Sequence, residues 1–217
     1  MYEFVRGPLL WFSFAVFILG SIGKILYICW LNYKKDQTIY DYFSIKYGLR
    51  SIIHWIIPFG SLNMRQRPIH TIVSWSFHFC LLVVPIFLMA HNVLWYESFR
   101  ISWWTLPDQL ADIMTLIVIG ACVFFFVRRK VLPEVKYVTF TSDYVLLVIA
   151  ALPFITGFLA YHQWLLPYKM MIILHILSGE LMLIAIPFTR LDHMLTFWLT
   201  RSYMGSEFGG VRHVKDY

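Results

Sequence analysis

The side chains of this sequence best placed to do chemistry are its eight histidines, His54, His70, His78, His91, His162, His175, His193 and His213. His78 and His91 fall within one long apolar run, and His175 and His193 bracket another, "LHILSGELMLIAIPFTRLDHM" at 174–194. Ionisable side chains inside apolar spans are costly and usually functional. A neutral imidazole carries one ring nitrogen with a lone pair, so it serves as a metal ligand or as a proton acceptor. Eighteen residues separate His175 from His193. At about 3.6 residues per turn that is five whole turns, which predicts two rings on one helical stripe roughly 27 Å apart. The same run holds Glu180 and Arg190. Cys29, Cys80 and Cys122 stand singly, without the CxxC or CxxCH spacing that iron–sulfur clusters or covalent haem require.

The elements that must position these rings are membrane spans. The chain has 217 residues, of which 59% are hydrophobic and 14% charged, against about 25% charged in soluble domains. Runs of about 20 apolar residues each suffice for one crossing, and five are readable, at about 8–30, 69–91, 109–127, 142–162 and 168–190. The expected fold is all-α: one integral membrane domain, a bundle of five transmembrane helices without internal repeat. A sixth apolar stretch, "SIIHWIIPFGSL" at 51–62, is too short to cross and reads as an interfacial or re-entrant piece against the lipid.

Orientation follows from the cations. Fourteen of the 18 Lys and Arg fall in the connection after the first span, the connection after the third, and the end of the chain, that is Arg190 with the tail at about 194–217. The positive-inside rule puts that side in the cytoplasm and the N-terminus outside. The net charge of +6 is accounted for by this topology and calls for no nucleic acid. Trp95, Tyr96, Trp103, Trp104, Tyr161 and Trp164 gather at the outer span ends, as an aromatic belt does.

Spans two and five run in opposite directions. His78 and His193 therefore fall toward the cytoplasm, His91 and His175 toward the outside. Two facing pairs of imidazoles on neighbouring helices are what two bis-histidine haems need.

The fifth span also resembles that of the respiratory nitrate reductase gamma subunit family, the five-helix dihaem cytochromes b. The shared pattern is a histidine, a small residue, a long apolar run and PF[ST]RL-x-H, here His175, Gly179, Pro187, Phe188, Thr189, Arg190, Leu191 and His193. "AVFILGS", "SFH" and "RRKVLPEVK…TFTSD" extend the likeness over most of the chain, and the opening "MYEFVRGPLLWFSFAVF" looks closer to cytochrome b subunits of transmembrane redox complexes in sulfate-reducing bacteria.

The resemblance implies two b-type haems, the inner ligated by His78 and His193 and the outer by His91 and His175. Arg190 is either a propionate partner or a snorkelling anchor. The implied function is electron transfer between a menaquinone-type pool and a cytoplasmic iron–sulfur subunit. A periplasmic multihaem cytochrome c is a further implied partner, and the location a bacterial or archaeal cytoplasmic (inner) membrane. The chain would be an oxidoreductase subunit, not catalytic alone.

Two departures from the family pattern matter. The thirteen residues from His78 to His91 turn a regular helix by about 220° beyond three turns, and Pro85 between them is expected to kink it; His70 and His162 are the reserve histidines. The family's quinol-binding lysine follows a Leu-Pro dipeptide; aligning Leu106 and Pro107 puts Ala111 in its place, flanked by Asp108 and Asp112. His91, Asp108, Asp112 and His162 are then the candidates for quinone or proton handling, with Asp108 equally a helix N-cap. Glu180 carries protons, pairs with a cation such as Lys24, or hydrogen-bonds a neighbouring helix. The rival class is a haem-free proton-coupled transporter or membrane anchor.

Overall fold

The computed structural model describes residues 1–215. Among them the chain is helical throughout its regular structure, without strands. Five helices are long and apolar enough to cross a membrane: Tyr2–Lys35, Pro68–Phe87, Asp108–Val131, Thr141–Tyr161 and Tyr168–Phe188. This is a multi-pass, all-α membrane protein. In chain order the main helices are α1 (Leu10–Lys35), α2 (Ile45–Ile56), α3 (Pro68–Phe87), α4 (Met89–Phe99), α5 (Asp108–Val131), α6 (Thr141–Tyr161), α7 (Tyr168–Phe188) and α8 (His193–Met204).

Two of the expected spans end early. Span two stops at Phe87: Leu88 is extended, at φ −71° and ψ 132°, and His91 rides on α4. Pro85 starts this break, since its ring removes one backbone donor and crowds the preceding turn. Span five stops at Phe188, just after Pro187. Thr189 is extended and its hydroxyl accepts from the Leu191 N–H, opening a 3₁₀ turn, Arg190–Asp192. His193 is the first residue of α8. The expectation of a single helix carrying both His175 and His193 is thereby overturned.

The chain divides into two compact units. The first comprises Met1–Arg6 and Val73–Gly179. Its core is the small-residue face of α5, where Ala111, Met114, Val118, Ala121, Cys122 and Phe125 recur every three or four residues. They meet Phe77, Cys80 and Val84 of α3 and Ala151 and Phe154 of α6. The outward faces are apolar too, with Phe79, Leu82, Ile113, Leu116 and Val148 about half exposed, as helices in lipid require. Arg6 bonds Glu97 of α4 at 2.6 Å.

The second unit comprises Gly7–Ile72 and the chain from Glu180 onward. Gly20 of α1 lies against Pro187, so close that a Cβ there would come within 2.9 Å of the proline ring. Four residues along α1, Lys24 forms an ion pair with Asp192 at 2.8 Å. Lys24 is thus spoken for by Asp192 rather than by Glu180.

In the same unit α2 presents Gly48 and Ser51 to α8, where Ser51 accepts from the Arg201 guanidinium at 2.8 and 3.2 Å. Small residues let two helices approach this closely. The opposite stripe of α2, Ile45, Leu49, Ile53 and Ile56, is about half exposed or more, which suits an interfacial helix. The helix starts at Ile45, six residues before the expected interfacial segment 51–62. It ends in a tight turn where Gly60 faces the His54 carbonyl with no room for a side chain. A π-helical segment, Gly205–Val211, closes the tail, and the last two residues of the expected 194–217 tail lie outside the described residues. There Tyr203, hydrogen-bonded to Tyr42 and Glu207, has its phenol held well above the ordinary tyrosine value.

Candidate functional site

Breaking a helix inside a membrane leaves carbonyls that water cannot satisfy. At the end of α3 three such carbonyls find replacement donors. The Pro85 carbonyl accepts from His91 Nδ1 at 2.8 Å, Ile86 from the Trp103 indole N–H at 2.8 Å, and Phe87 from the Leu106 N–H at 2.8 Å. Asn92 clamps the returning loop by bonding both the carbonyl (2.5 Å) and the N–H (3.2 Å) of Trp103. Trp103, read from the sequence as a belt aromatic, also caps a helix end.

The break also settles the phase of His91. A straight helix would turn it by about 220° relative to His78; on α4 its ring comes to 5.9 Å from that of His175, centre to centre, with the two planes only 15° apart. His175 is held from the other side. Its Nδ1 donates to the Pro153 carbonyl at 3.0 Å and its ring rests on the Gly157 backbone. A Cβ at Gly157 would stand 2.9 Å from His175 Cε1. Thr156 and Ser178 bond each other at 3.0 Å, and Ser178 also donates to the His175 carbonyl at 2.8 Å.

The other two predicted ligands are oriented in the same way, each within its own unit. His78, exposed on α3, directs Nδ1 to the Ser74 carbonyl at 2.7 Å and packs edge-on to Phe77. His193, exposed at the start of α8, directs Nδ1 to the Arg190 carbonyl at 2.8 Å. A carbonyl only accepts, so in all four histidines Nδ1 carries the proton and Nε2 the lone pair. This is the arrangement that outer-shell bonds impose on metal-bound imidazoles.

Metal–imidazole bonds of about 2.0 Å, with the depth of each ring added, put the centres of two rings on one axial metal roughly 6 Å apart. The observed His91–His175 separation of 5.9 Å agrees with that distance, and the Nδ1–carbonyl bond on each ring leaves Nε2 as the nitrogen with ligand chemistry.

Asp112, in the first turns of α5, bonds His162 Nε2 at the end of α6 at 3.0 Å. Asp108 does not cap α5. It is the first helical residue, after Pro107, and bonds the Tyr161 hydroxyl. His70 lies in the first turn of α3. Glu180 is 3% exposed, and neither of its carboxylate oxygens has a hydrogen-bond partner among the described residues. Sequence reasoning passed over Asn92, Gly157, Thr156 and Ser178. Their only signal was small or polar character inside apolar runs, which ordinary helix packing shares.

Fold and site define an all-helical, multi-pass membrane protein with one stacked imidazole pair beside a break in a membrane helix. The chain belongs to one family with a protein of Nitratidesulfovibrio vulgaris (strain Hildenborough). The two are 36% identical over 96% of this chain and 93% of the relative. No family model and no solved structure matches the chain.

Proposed function

We propose that the chain is a dihaem cytochrome b subunit of the nitrate reductase gamma type, and more narrowly of the kind found in transmembrane redox complexes of sulfate-reducing bacteria. His91 and His175 would hold one b-type haem, and His78 and His193 are the ligands expected for the other. The reading is carried by the His91–His175 pair, two near-parallel rings at metal-sharing distance with both Nδ1 atoms tied to carbonyls. A haem bound there would supply one-electron exchange. The protein's own part is orientation: Pro85, Pro153 and Gly157 set the two ring positions, and Arg190 would pair with a propionate.

On this reading the subunit wires a menaquinone pool to a cytoplasmic iron–sulfur partner, with a multihaem cytochrome c on the periplasmic side. It lies in a bacterial or archaeal cytoplasmic membrane, N-terminus outside, and does not act as an enzyme alone. Asp108, Asp112 and His162 handle quinone or protons.

The test is a pyridine haemochrome count on the purified protein. Two b-type haems per chain are expected, and a colourless, folded preparation from haem-replete cells overturns the reading. A proton-coupled transporter is the second reading, favoured by the buried, unpartnered carboxylate of Glu180; the same count separates the two.

A further inference from the structure

We propose that α2 and the turn after it form an in-plane lipid site that selects anionic phospholipids, with Lys46, Arg50, Arg65 and Arg67 as the cations that meet the headgroup phosphate. This goes beyond the electron-transfer reading and does not depend on it, since no histidine and no cofactor takes part.

The angular order of α2, Ile45–Ile56, is the first observation. At about 100° per residue its side chains fall into three sectors. One is locked to the protein: Gly48 lies against Ser202 of α8, and Ser51 accepts from the Arg201 guanidinium. The second is the apolar stripe, with Ile45, Leu49, Ile53 and Ile56 exposed by 70%, 53%, 52% and 48%. The third holds Lys46 and Arg50, about 20° and 60° past Ile53 around the helix. Both cations lie over the Tyr47 ring, at 5.8 and 4.8 Å from its centre. An apolar stripe bordered by cations suits a helix lying in the headgroup plane, its apolar side in the acyl boundary and its charges at the phosphates.

The turn that follows adds to the stripe. Phe59 has φ 59°, and Gly60 is pressed against the His54 carbonyl. A left-handed phenylalanine is costly and persists where the surrounding structure enforces it. Here Gly60 N–H donates to the Ile57 carbonyl at 3.0 Å, and the Arg65 guanidinium donates to the Gly60 carbonyl at 3.2 Å. The turn leaves Ile57 and Leu62 exposed by 51% and 56%, so the apolar surface runs on past the end of the helix.

Charge and tethering identify the occupant. Between Asp41 and Glu97 the chain has no acidic residue, and its Lys and Arg there are Lys46, Arg50, Arg65 and Arg67. The segment joins the end of one span at Lys35 to the start of the next at Pro68, which holds both flanks of α2 at one face of the bilayer. The nearest anions at that level are lipid phosphates. Each Lys or Arg near an anionic leaflet strengthens binding about fivefold.

Native mass spectrometry of the full-length purified protein, titrated with phosphatidylglycerol or with phosphatidylcholine of the same acyl chains, tests this. Phosphatidylglycerol should bind about tenfold tighter or more. The triple variant Lys46→Gln/Arg65→Gln/Arg67→Gln should bring the two lipids within about twofold of each other, with native helical content. Arg50 is kept in it because its guanidinium packs against Gly209. A charge-matched control, Arg128→Gln/Lys130→Gln/Lys136→Gln, should keep the preference. A photo-crosslinking phenylalanine analogue at Leu49 should capture phosphatidylglycerol in nanodiscs containing both lipids in equal parts. Equal affinity for the two lipids, an undiminished preference in the first triple variant, or an equal loss in the control overturns the site. Capture of a protein subunit at Leu49, in place of lipid, overturns it as well.

Discussion

Each of the four membrane-associated histidines donates from Nδ1 to a carbonyl within reach of its own segment or a packed neighbour. The bond costs nothing in the apolar medium, because an unpaired imidazole N–H there would be worse. It also leaves all four rings presenting the same nitrogen. On the proposed dihaem reading, replacing His175 or His91 by Ala should each remove one haem of the two, read as a halved haemochrome absorbance. Gly157→Val is a sharper probe, since it keeps both ligands. A side chain there collides with the His175 ring. The cost of such overpacking is about 1–3 kcal/mol, and the outer haem should show a shifted optical or EPR signature while the helical content stays native.

At the scale of elements, the break between α3 and α4 is the feature that everything near His91 depends on. Three carbonyls are recapped there by His91, Trp103 and Leu106, and Asn92 holds the loop that brings two of them. Asn92 is 7% exposed. Asn92→Leu strands two backbone groups of Trp103 without partners, at about 1–3 kcal/mol each. A fall in thermal stability accompanied by loss of the outer haem before the inner one is expected, followed by absorbance during a melt. In the other unit, Lys24–Asp192 pins the turn that precedes His193. Lys24→Met leaves a part-buried carboxylate alone and should destabilise more than the double variant Lys24→Met/Asp192→Asn; a thermal double-mutant cycle measures the difference.

For the whole molecule, topology is the open quantity. The cation count predicts the tail on the cytoplasmic side and residue 1 outside. A green fluorescent protein fused after the tail should fluoresce, and alkaline phosphatase at the same place should stay inactive; the reverse pattern would invert the orientation. Salt should matter little to the Lys24–Asp192 pair, which is two-thirds or more covered.

The sequence by itself determined the class of the molecule, because five apolar runs of crossing length admit no other fold for a chain with so few charges. It also marked His91 and His175 as candidates, since each is a polar ring in an oily run. What it could not determine was phase. Counting residues from His175 to His193 assumed a continuous helix, and the kink expected at Pro85 came without a direction; both segments have a proline-linked break. A proline announces that a helix is weakened, but the new direction is set by whichever distant groups satisfy the freed carbonyls. Two of those groups, Trp103 and Leu106, lie far enough along the chain that only the folded molecule brings them to the break. The same holds for His162 and Asp112, fifty residues apart. Long-range pairing is decided by packing, which local pattern does not encode.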